Sequence, residues 1–245
     1  MVSHSSLACA CVKPGPVHTI ILCTHHRHQC HKTFCCTIVH ASIRYDYNAN
    51  MARRFDHPSL HPDPDMKIDI NGREFNFPLP SDGIALSDDA ETVFYCEISR
   101  QILWSVPARR GLANFSLTSA EIGQGVVNHG VKGYSDGMTH DDKGRLYFGN
   151  QATSEVMQWD TSSESIDDAV VVARQNATMQ WPDTFAWDGQ GNLIFVSNKL
   201  QLFAFGGMAF DGSDGANFRL WSVDVGGNSY LSKDPKPKMA ACEMP

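Results

Sequence analysis

The stretch SDGMTHDDKGRLYFGNQATSEVMQWD, residues 135–160, decides the fold because the chain contains three related copies of it. The first copy is SDGIALSDDAETVFYCEISRQILWSV, residues 81–106, and the third is PDTFAWDGQGNLIFVSNKLQLFAF, residues 182–205. Each copy starts with an aspartate turn, continues into a short β-rich run and closes on an aromatic residue. The closing aromatic residues are Trp104, Trp159 and Phe205.

Aligned on Asp82, Asp136 and Asp183, the copies repeat after 54 and then 47 residues (136 − 82 and 183 − 136). A repeat of ~40–50 residues with short strands and Asp/Gly turns is typical of β-propeller blades. A single blade cannot bury both faces of its sheet, so neighbouring copies must stack. The repeat therefore predicts an all-β protein with a propeller fold.

Composition excludes two classes of function. The chain has 245 residues, a formal net charge of −7 and no basic patch, so nucleic acid is not an expected partner. It contains no run of about 18 apolar residues, which argues against a membrane-spanning helix.

Residues 1–50 differ from the rest, because they hold six of the eight cysteines and seven of the eleven histidines. Cys and neutral His are zinc ligands, but these match no standard paired spacing. A secretory signal is a second alternative, although His18 interrupts its apolar core. We interpret residues 1–50 as a disordered leader, 51–230 as a partial propeller and 231–245 as a disordered tail.

The residues before and after the first copy suggest further strands and loops. Asn71-Gly72 lies between two β-rich runs and predicts a hairpin with a type I′ turn. Three short strands are expected over Ile84–Leu86, Val93–Cys96 and Gln101–Val106. Thr118–Val127 is interpreted as a loop with one helical turn.

Several segments together resemble the Yellow/major royal jelly protein family: DGIALSDD, VFYCEISRQILWSVP, YSDGMTHDDKGRLYFG, QWPDTFAWDGQGNLIFVSNKLQLF and GANFRLWSV. The resemblance runs from Phe55 to Val225 and corresponds to the C-terminal half of a typical member. It implies a six-bladed propeller, usually secreted, with a ligand pocket on its central axis. Members bind small aromatic amines or act in pigment and melanin chemistry, and some are storage proteins.

The chain departs from the family pattern in lacking the first blades and a recognisable signal peptide. At ~50 residues per blade, Met51–Pro245 accounts for about four blades. Either the sequence is a truncated gene model, which we favour, or open strand edges pair with another copy to complete a ring. The resemblance also implies that Cys96 is disulfide-bonded, with its usual partner in the absent half of the propeller and Cys242 as a substitute in this chain.

The repeated aspartates are the main candidate site residues. If Asp82, Asp136 and Asp183 begin the innermost strands of successive blades, they project toward one axis. The same turns resemble the channel-lining segments of gluconolactonase-type propellers, in which such residues hold Ca²⁺. No cofactor is required by the sequence, but Ca²⁺ would suit these oxygen ligands. The alternative is that each aspartate only caps a tight turn by accepting backbone N–H groups.

Other residues are expected near the mouth of the pocket. Asn150 closes the β-rich run of the second copy, aligned with Glu97 and Ser197, and Asn198 follows Ser197. Thr184 and Phe185 adjoin Asp183 and could contact a flat ligand. The tryptophans at positions 104, 159, 187 and 221 are interpreted as inter-blade core.

Three hypotheses on function remain. The first is a secreted binder of a small aromatic or amine ligand, and the sequons at Asn114 and Asn176 agree with export. The second is an isomerase acting on dopachrome, or a metal-assisted lactonase. No residue set identifies the catalytic groups, and His140, expected in the same turn as Asp136 and exposed to solvent, is the best acid–base candidate. The third is a storage protein or a non-functional fragment.

Overall fold

The chain divides into two units, Met1–Val39 and His40–Pro245. The computed structural model describes residues 56–108 and 117–232, together with the backbone of two strands in the first unit. These strands, β1 (Ala8–Val12) and β2 (Ile20–Thr24), pair antiparallel. The other residues of the proposed leader, the tail after position 232 and Asn114 lie outside the described residues.

The second unit confirms the all-β prediction and contains four antiparallel sheets, which agrees with a partial ring of about four blades. Blade I consists of β5 (Ser81–Leu86), β6 (Thr92–Glu97), β7 (Ile102–Pro107) and β8 (Val127–Val131). Blade II consists of β9 (Met138–His140), β10 (Arg145–Asn150), β11 (Glu155–Asp160) and β12 (Val170–Arg174). Blade III consists of β13 (Trp181–Trp187), β14 (Asn192–Asn198) and β15 (Arg219–Asp224).

The fourth sheet is the hairpin predicted from Asn71-Gly72. It pairs β3 (Ile68–Ile70) with β4 (Arg73–Phe75). Asn71 and Gly72 have φ of 55° and 78°, as a type I′ turn requires of both central residues. The hairpin packs its buried side against Ile98 and Trp181 at the ends of blades I and III.

Two short helices lie between strands. The turn predicted within Thr118–Val127 is α1 (Ser119–Gly123), capped by a reciprocal pair of hydrogen bonds between Thr118 and Glu121. The strand β8 that follows it was not predicted. The second helix, α2 (Leu200–Ala204), replaces the closing strand expected in the third copy.

The assignment of Phe205 as a closing aromatic is therefore wrong. Phe205 follows α2 and is half exposed, whereas the third strand of blade III is β15. Trp221 in β15 lies opposite Phe195, as Trp104 lies opposite Tyr95 in blade I. The third copy reaches its closing strand only after the loop that follows α2.

The core lies between the blades, because alternate residues of each strand point to opposite faces. Phe94 and Cys96 of β6 pack with Leu146, Phe148 and other side chains of blade II. The opposite face of β6 packs against Leu60 and Ile122, which come from outside the sheet. Leu193 and Phe195 of blade III pack with Tyr147 and Val156 of blade II.

Neighbouring innermost strands approach each other closely at two glycines. A Cβ built on Gly83 would lie 2.1 Å from the backbone oxygen of Asp136, and one built on Gly137 would lie 1.5 Å from that of Asp183. Neither glycine has a positive φ, so space rather than backbone conformation requires them. The Asp-Gly pairs are thus contacts between blades.

We expect Gly137→Ala to destabilise the fold by more than about 2 kcal/mol, because its Cβ would overlap a backbone atom that cannot rotate away. Gly207→Ala is the matched control, since the atom nearest to its Cβ, at 3.3 Å, is the end of the long Arg73 side chain rather than a backbone atom. Urea unfolding of both variants measures the difference. Equal midpoints for the two variants would contradict the close packing of β9 on β13.

Candidate ligand-binding site

The structure brings the three repeated aspartates together. Asp82 lies in β5, Asp136 two residues before β9, and Asp183 in β13. The carboxyl group of Asp136 interacts with those of both Asp82 and Asp183. Asp136 is buried with 6 % of its surface exposed, Asp183 is half-buried and Asp82 is exposed. The cluster therefore forms an acidic site with Asp136 at its base.

Side-chain donors hold the two less exposed aspartates. The indole Nε1 of Trp181 donates to Oδ2 of Asp136 at 2.7 Å. The amide Nδ2 of Asn198 donates to Oδ2 of Asp183 at 2.8 Å, and the Thr184 hydroxyl donates to its Oδ1 at 3.3 Å. Turn-capping aspartates in this chain behave differently, since Asp188 accepts the backbone N–H groups of Gln190 and Asn192. The contacts of Asp136 and Asp183 are those of a side-chain cluster.

Electrostatics favour protonation at the base of the site. Burial, followed by the negative charges of Asp183 and Asp82, raises the pKa of Asp136 to about 8. Burial, and then the charge of Asp82, also raises the pKa of Asp183. Carboxylates this close cannot all ionise without a compensating cation. At neutral pH the site therefore retains a proton that a bound cation could displace.

The polar residues predicted at the end of the second strand of each blade do lie at the ends of β6, β10 and β14. Their contacts differ. Asn198 contacts Asp183 directly. Ser197 donates to the backbone oxygen of Thr178 and accepts from the indole of Trp221. The Asn150 amide lies against Gly133, and its Oδ1 has no hydrogen-bond partner among the described residues.

Glu97 is fully buried at the end of β6 and accepts a hydrogen bond from the indole of Trp104 at 3.0 Å. Burial raises the pKa of Glu97 to about 7. Lys132 is also buried, donates to the backbone oxygen of Gly133 at 3.1 Å and interacts with Glu97 and Asp136. A buried layer of opposite charges thus lies beside the aspartates.

Thr184 and Phe185 lie on opposite faces of β13. Thr184 is exposed next to Asp183. Phe185 packs on Phe195 with ring centroids 5.7 Å apart, and its edge lies beside Gly137. Phe185 therefore contributes mainly to the core between blades II and III, and Thr184 is the member of the pair that faces solvent.

Two residues of the site, Trp181 and Lys132, are not predicted from the sequence. An aromatic residue stands two positions before the aspartate in the second and third copies, Tyr134 and Trp181, and this was the available signal. Nothing in the repeat marks Lys132, which lies in the segment that connects β8 to blade II.

His140 does not belong to the site. It ends β9, four residues from Asp136, which corresponds to ~13 Å at the rise of an extended strand. It is also buried, with 1 % of its surface exposed, so the expectation of solvent exposure is wrong. The reason is that His140 packs into the core between blades I and II, against Phe94.

Cys96 carries a free, buried thiol in the structure. The disulfide implied by the family resemblance stays a prediction, because neither of its proposed partners is among the described residues. Its Sγ lies 3.5 Å from the backbone oxygen of Ser135, and a Cβ on Gly83 would lie 2.9 Å from it. The thiol fills the close contact between blades I and II. Cys242 lies outside the described residues.

Within 56–108 and 117–232, no group of three or more His, Cys, Asp or Glu side chains is placed to hold a metal ion. No helix in the described part of the chain is both long enough and apolar enough to cross a membrane.

Successive sheets that meet along their innermost strands, with acidic side chains where those strands begin, define an open β-propeller. The profile of the major royal jelly protein family matches residues 35–227, and the chain belongs to this family. A search of curated proteins finds no significant match.

Solved structures with a similar course of the chain include a luciferin-regenerating enzyme, with a TM-score of 0.43 and 15 % identity over 64 % of this chain and 49 % of that one. Regucalcin, a calcium-binding protein of Agrobacterium tumefaciens, gives 0.37 and 18 %, over 66 % and 54 %. A gluconolactonase of Xanthomonas campestris gives 0.38 and 14 %, over 60 % and 48 %. The chain spans about half the length of these proteins.

We expect Trp181→Phe to raise the pKa of Asp136 further, by on the order of one pH unit, because the lost N–H stabilises the charged carboxylate. Carboxyl ¹³C NMR titration measures this directly. Trp221→Phe is the control, since that indole donates to Ser197. An unchanged titration of Asp136 in Trp181→Phe would show that the hydrogen bond does not control its ionisation.

Proposed function

We propose that the protein binds a small aromatic amine, with its ammonium group at the cluster of Asp82, Asp136 and Asp183. The observation that carries the proposal is the burial of Asp136 between two other carboxyl groups. Membership of the major royal jelly protein family supports it, because the family resemblance implies an axial pocket for such ligands. Export and a role in pigment chemistry belong to the same proposal.

A cation relieves the electrostatic cost of the site. Two opposite unit charges 4 Å apart attract each other by about 4 kcal/mol at the effective dielectric constant near a protein surface. An ammonium group also donates up to three hydrogen bonds, which suits several carboxylate acceptors. A neutral ligand of the same shape would leave Asp136 protonated and gain neither contribution.

Binding should depend on pH in a defined direction. The amine prefers ionised Asp136, whereas the free protein holds a proton there below a pH of about 8. Below that pH a proton must leave when the amine binds, so affinity should fall up to tenfold for each pH unit. Above it, affinity should level off until the amine itself loses its proton.

We expect tyramine to bind with this profile and 4-ethylphenol, which has the same ring without the amine, to bind at least tenfold more weakly. Asp136→Asn should weaken tyramine binding at least tenfold and flatten its pH profile between 6 and 8. Asp167→Asn, an exposed acidic residue in the loop after β11, is the control. Titration calorimetry from pH 6 to 8.5 measures affinity and proton release.

Equal affinity for tyramine and 4-ethylphenol would refute recognition of the amine. The absence of binding by both compounds would instead favour a storage protein or a non-functional fragment.

A second candidate function is proton transfer in an isomerisation of the dopachrome type. A carboxyl group with a pKa of about 8 can take up and release a proton near neutral pH, which suits a general acid–base. The loss of dopachrome absorbance in the presence of the protein would test it. This proposal requires Asp136→Asn to abolish the reaction. If the variant converts dopachrome at the wild-type rate, Asp136 is not the acid–base.

We also propose that Asn176 is glycosylated if the chain is exported. Asn176 is exposed in the turn between β12 and β13. The chain secreted from insect cells should decrease in mass after treatment with an N-glycosidase, and the peptide that contains Asn176 should carry the change. An unmodified Asn176 in secreted protein would contradict the proposal.

A further inference from the structure

Two histidines lie in the contact between blades I and II, at a distance from the aspartates. His140 comes from β9 of blade II and His129 from β8 of blade I. Both imidazole rings contact Phe94 of β6, with centroids 5.9 and 5.8 Å away. His129 also contacts Trp159 of blade II at 5.3 Å. We call these four side chains the histidine seam.

The tautomer of His140 follows from its one hydrogen bond. Its Nδ1 is 2.9 Å from the backbone oxygen of Asp141, and a carbonyl oxygen can only accept, so Nδ1 carries the proton. Its Nε2 is buried and has no hydrogen-bond partner among the described residues. A second proton on this ring would therefore create a buried charge with an unsatisfied donor.

His129 contacts a different polar group than His140, but its ring is likewise packed in the apolar contact between the blades. Its Nε2 lies 2.8 Å from the hydroxyl of Ser105, a neutral group that can serve as donor or acceptor. The ring is half-buried against Phe94 and Trp159, and burial lowers the pKa of His129. Protonation would again place charge within an apolar contact between the blades.

The carboxylates that interact with His140 offset the effect of burial on its pKa only in part. Asp88, Asp89 and Asp141 each favour the charged ring, but burial outweighs them and lowers the pKa of His140. Asp141 already forms an ion pair with Arg145 at 2.6 Å. Asp89 is exposed and accepts from Ser87 and from the backbone of Glu91. No carboxylate among the described residues contributes to the pKa shift of His129, for which burial is the cause.

We propose that the histidine seam is an acid-sensitive contact, in which protonation of His140 and His129 loosens blade I from blade II. Each histidine has a lower pKa in the folded chain than in the unfolded one, where the value is about 6.5. The unfolded chain therefore takes up protons first as pH falls below about 6.5. The folding equilibrium constant should then fall by up to tenfold per pH unit for each histidine, until the folded-state pKa is passed.

Loosening of this seam would also reach the aspartate cluster. β5 and β9 lie side by side, and they carry Asp82 and the approach to Asp136. Separation of the two blades at acid pH would disperse the carboxyl groups. This inference does not depend on what the aspartates bind.

The test uses urea unfolding of the full chain at pH 7.5, 6.5, 5.5 and 5.0. The double variant His140→Asn, His129→Gln keeps a neutral amide near each hydrogen-bonded ring nitrogen and cannot gain a proton. Asp136 and Glu97, whose pKa values burial raises, stabilise the fold as pH falls, and they do so equally in wild type and the double variant. Between pH 6.5 and 5.0 the folding constant of wild type should therefore fall at least tenfold relative to that of the double variant. His61→Gln, an exposed histidine paired with Asp56, is the control and should keep the wild-type slope.

The same acid slope in wild type and the double variant would overturn the proposal. If the double variant does not fold, NMR titration of the histidine rings in wild type decides. Ring resonances of His140 and His129 that titrate only well below pH 6.5 would support the seam. Titration of either ring at pH 6.5 or above, with the fold intact, would refute it.

Discussion

The packing of each innermost strand against the aspartate of the next blade is the contact on which the rest of the structure depends. The backbone oxygens of Asp136 and Asp183 occupy the space that a side chain at Gly83 or Gly137 would need. This approach brings neighbouring strands together at the end where each begins. It also places Asp82, Asp136 and Asp183 side by side, so the acidic site follows from how the backbones pack. In the third copy Thr184 stands in place of glycine, and its side chain is exposed because no further described blade packs there.

The position of Asp136 explains its unusual electrostatics. Blade II is flanked by blades I and III, so its aspartate loses solvent on both sides, whereas Asp82 stays exposed on blade I. Burial of an ionised carboxylate is expensive without a partner, and the single indole donor from Trp181 compensates only in part. The opposing charge of Lys132 lies in the next buried layer, shared with Glu97 and Cys96. Asp136 therefore gains or loses its proton near neutral pH, and a bound cation would favour its ionised form.

The repeat predicted the blades well, because the period and the alternation of apolar residues report local strand structure and burial. The prediction failed where a local pattern of residues was compatible with two structures. The apolar residues of Leu200–Ala204 suit a strand or a helix, and a glycine-rich insertion moved the closing strand to β15. His140 was misjudged because its neighbours in sequence are polar, whereas its burial comes from Phe94 on another blade. Trp181 and Lys132 were missed for the same reason, since their roles arise from contacts across blades.

The two outer faces of the described ring are not equivalent, and this bears on how the ring could be completed. On blade I the outer side chains of β6 and β7 are already covered by Leu60, Ala108 and Ile122. On blade III Leu220 is 73 % exposed, and the alternate residues of β13 on the same face are exposed as well. A second copy that joined head to tail would have to displace the cover of blade I before it could pack against blade III. Among the described residues, the face of Leu220 on blade III has no such cover.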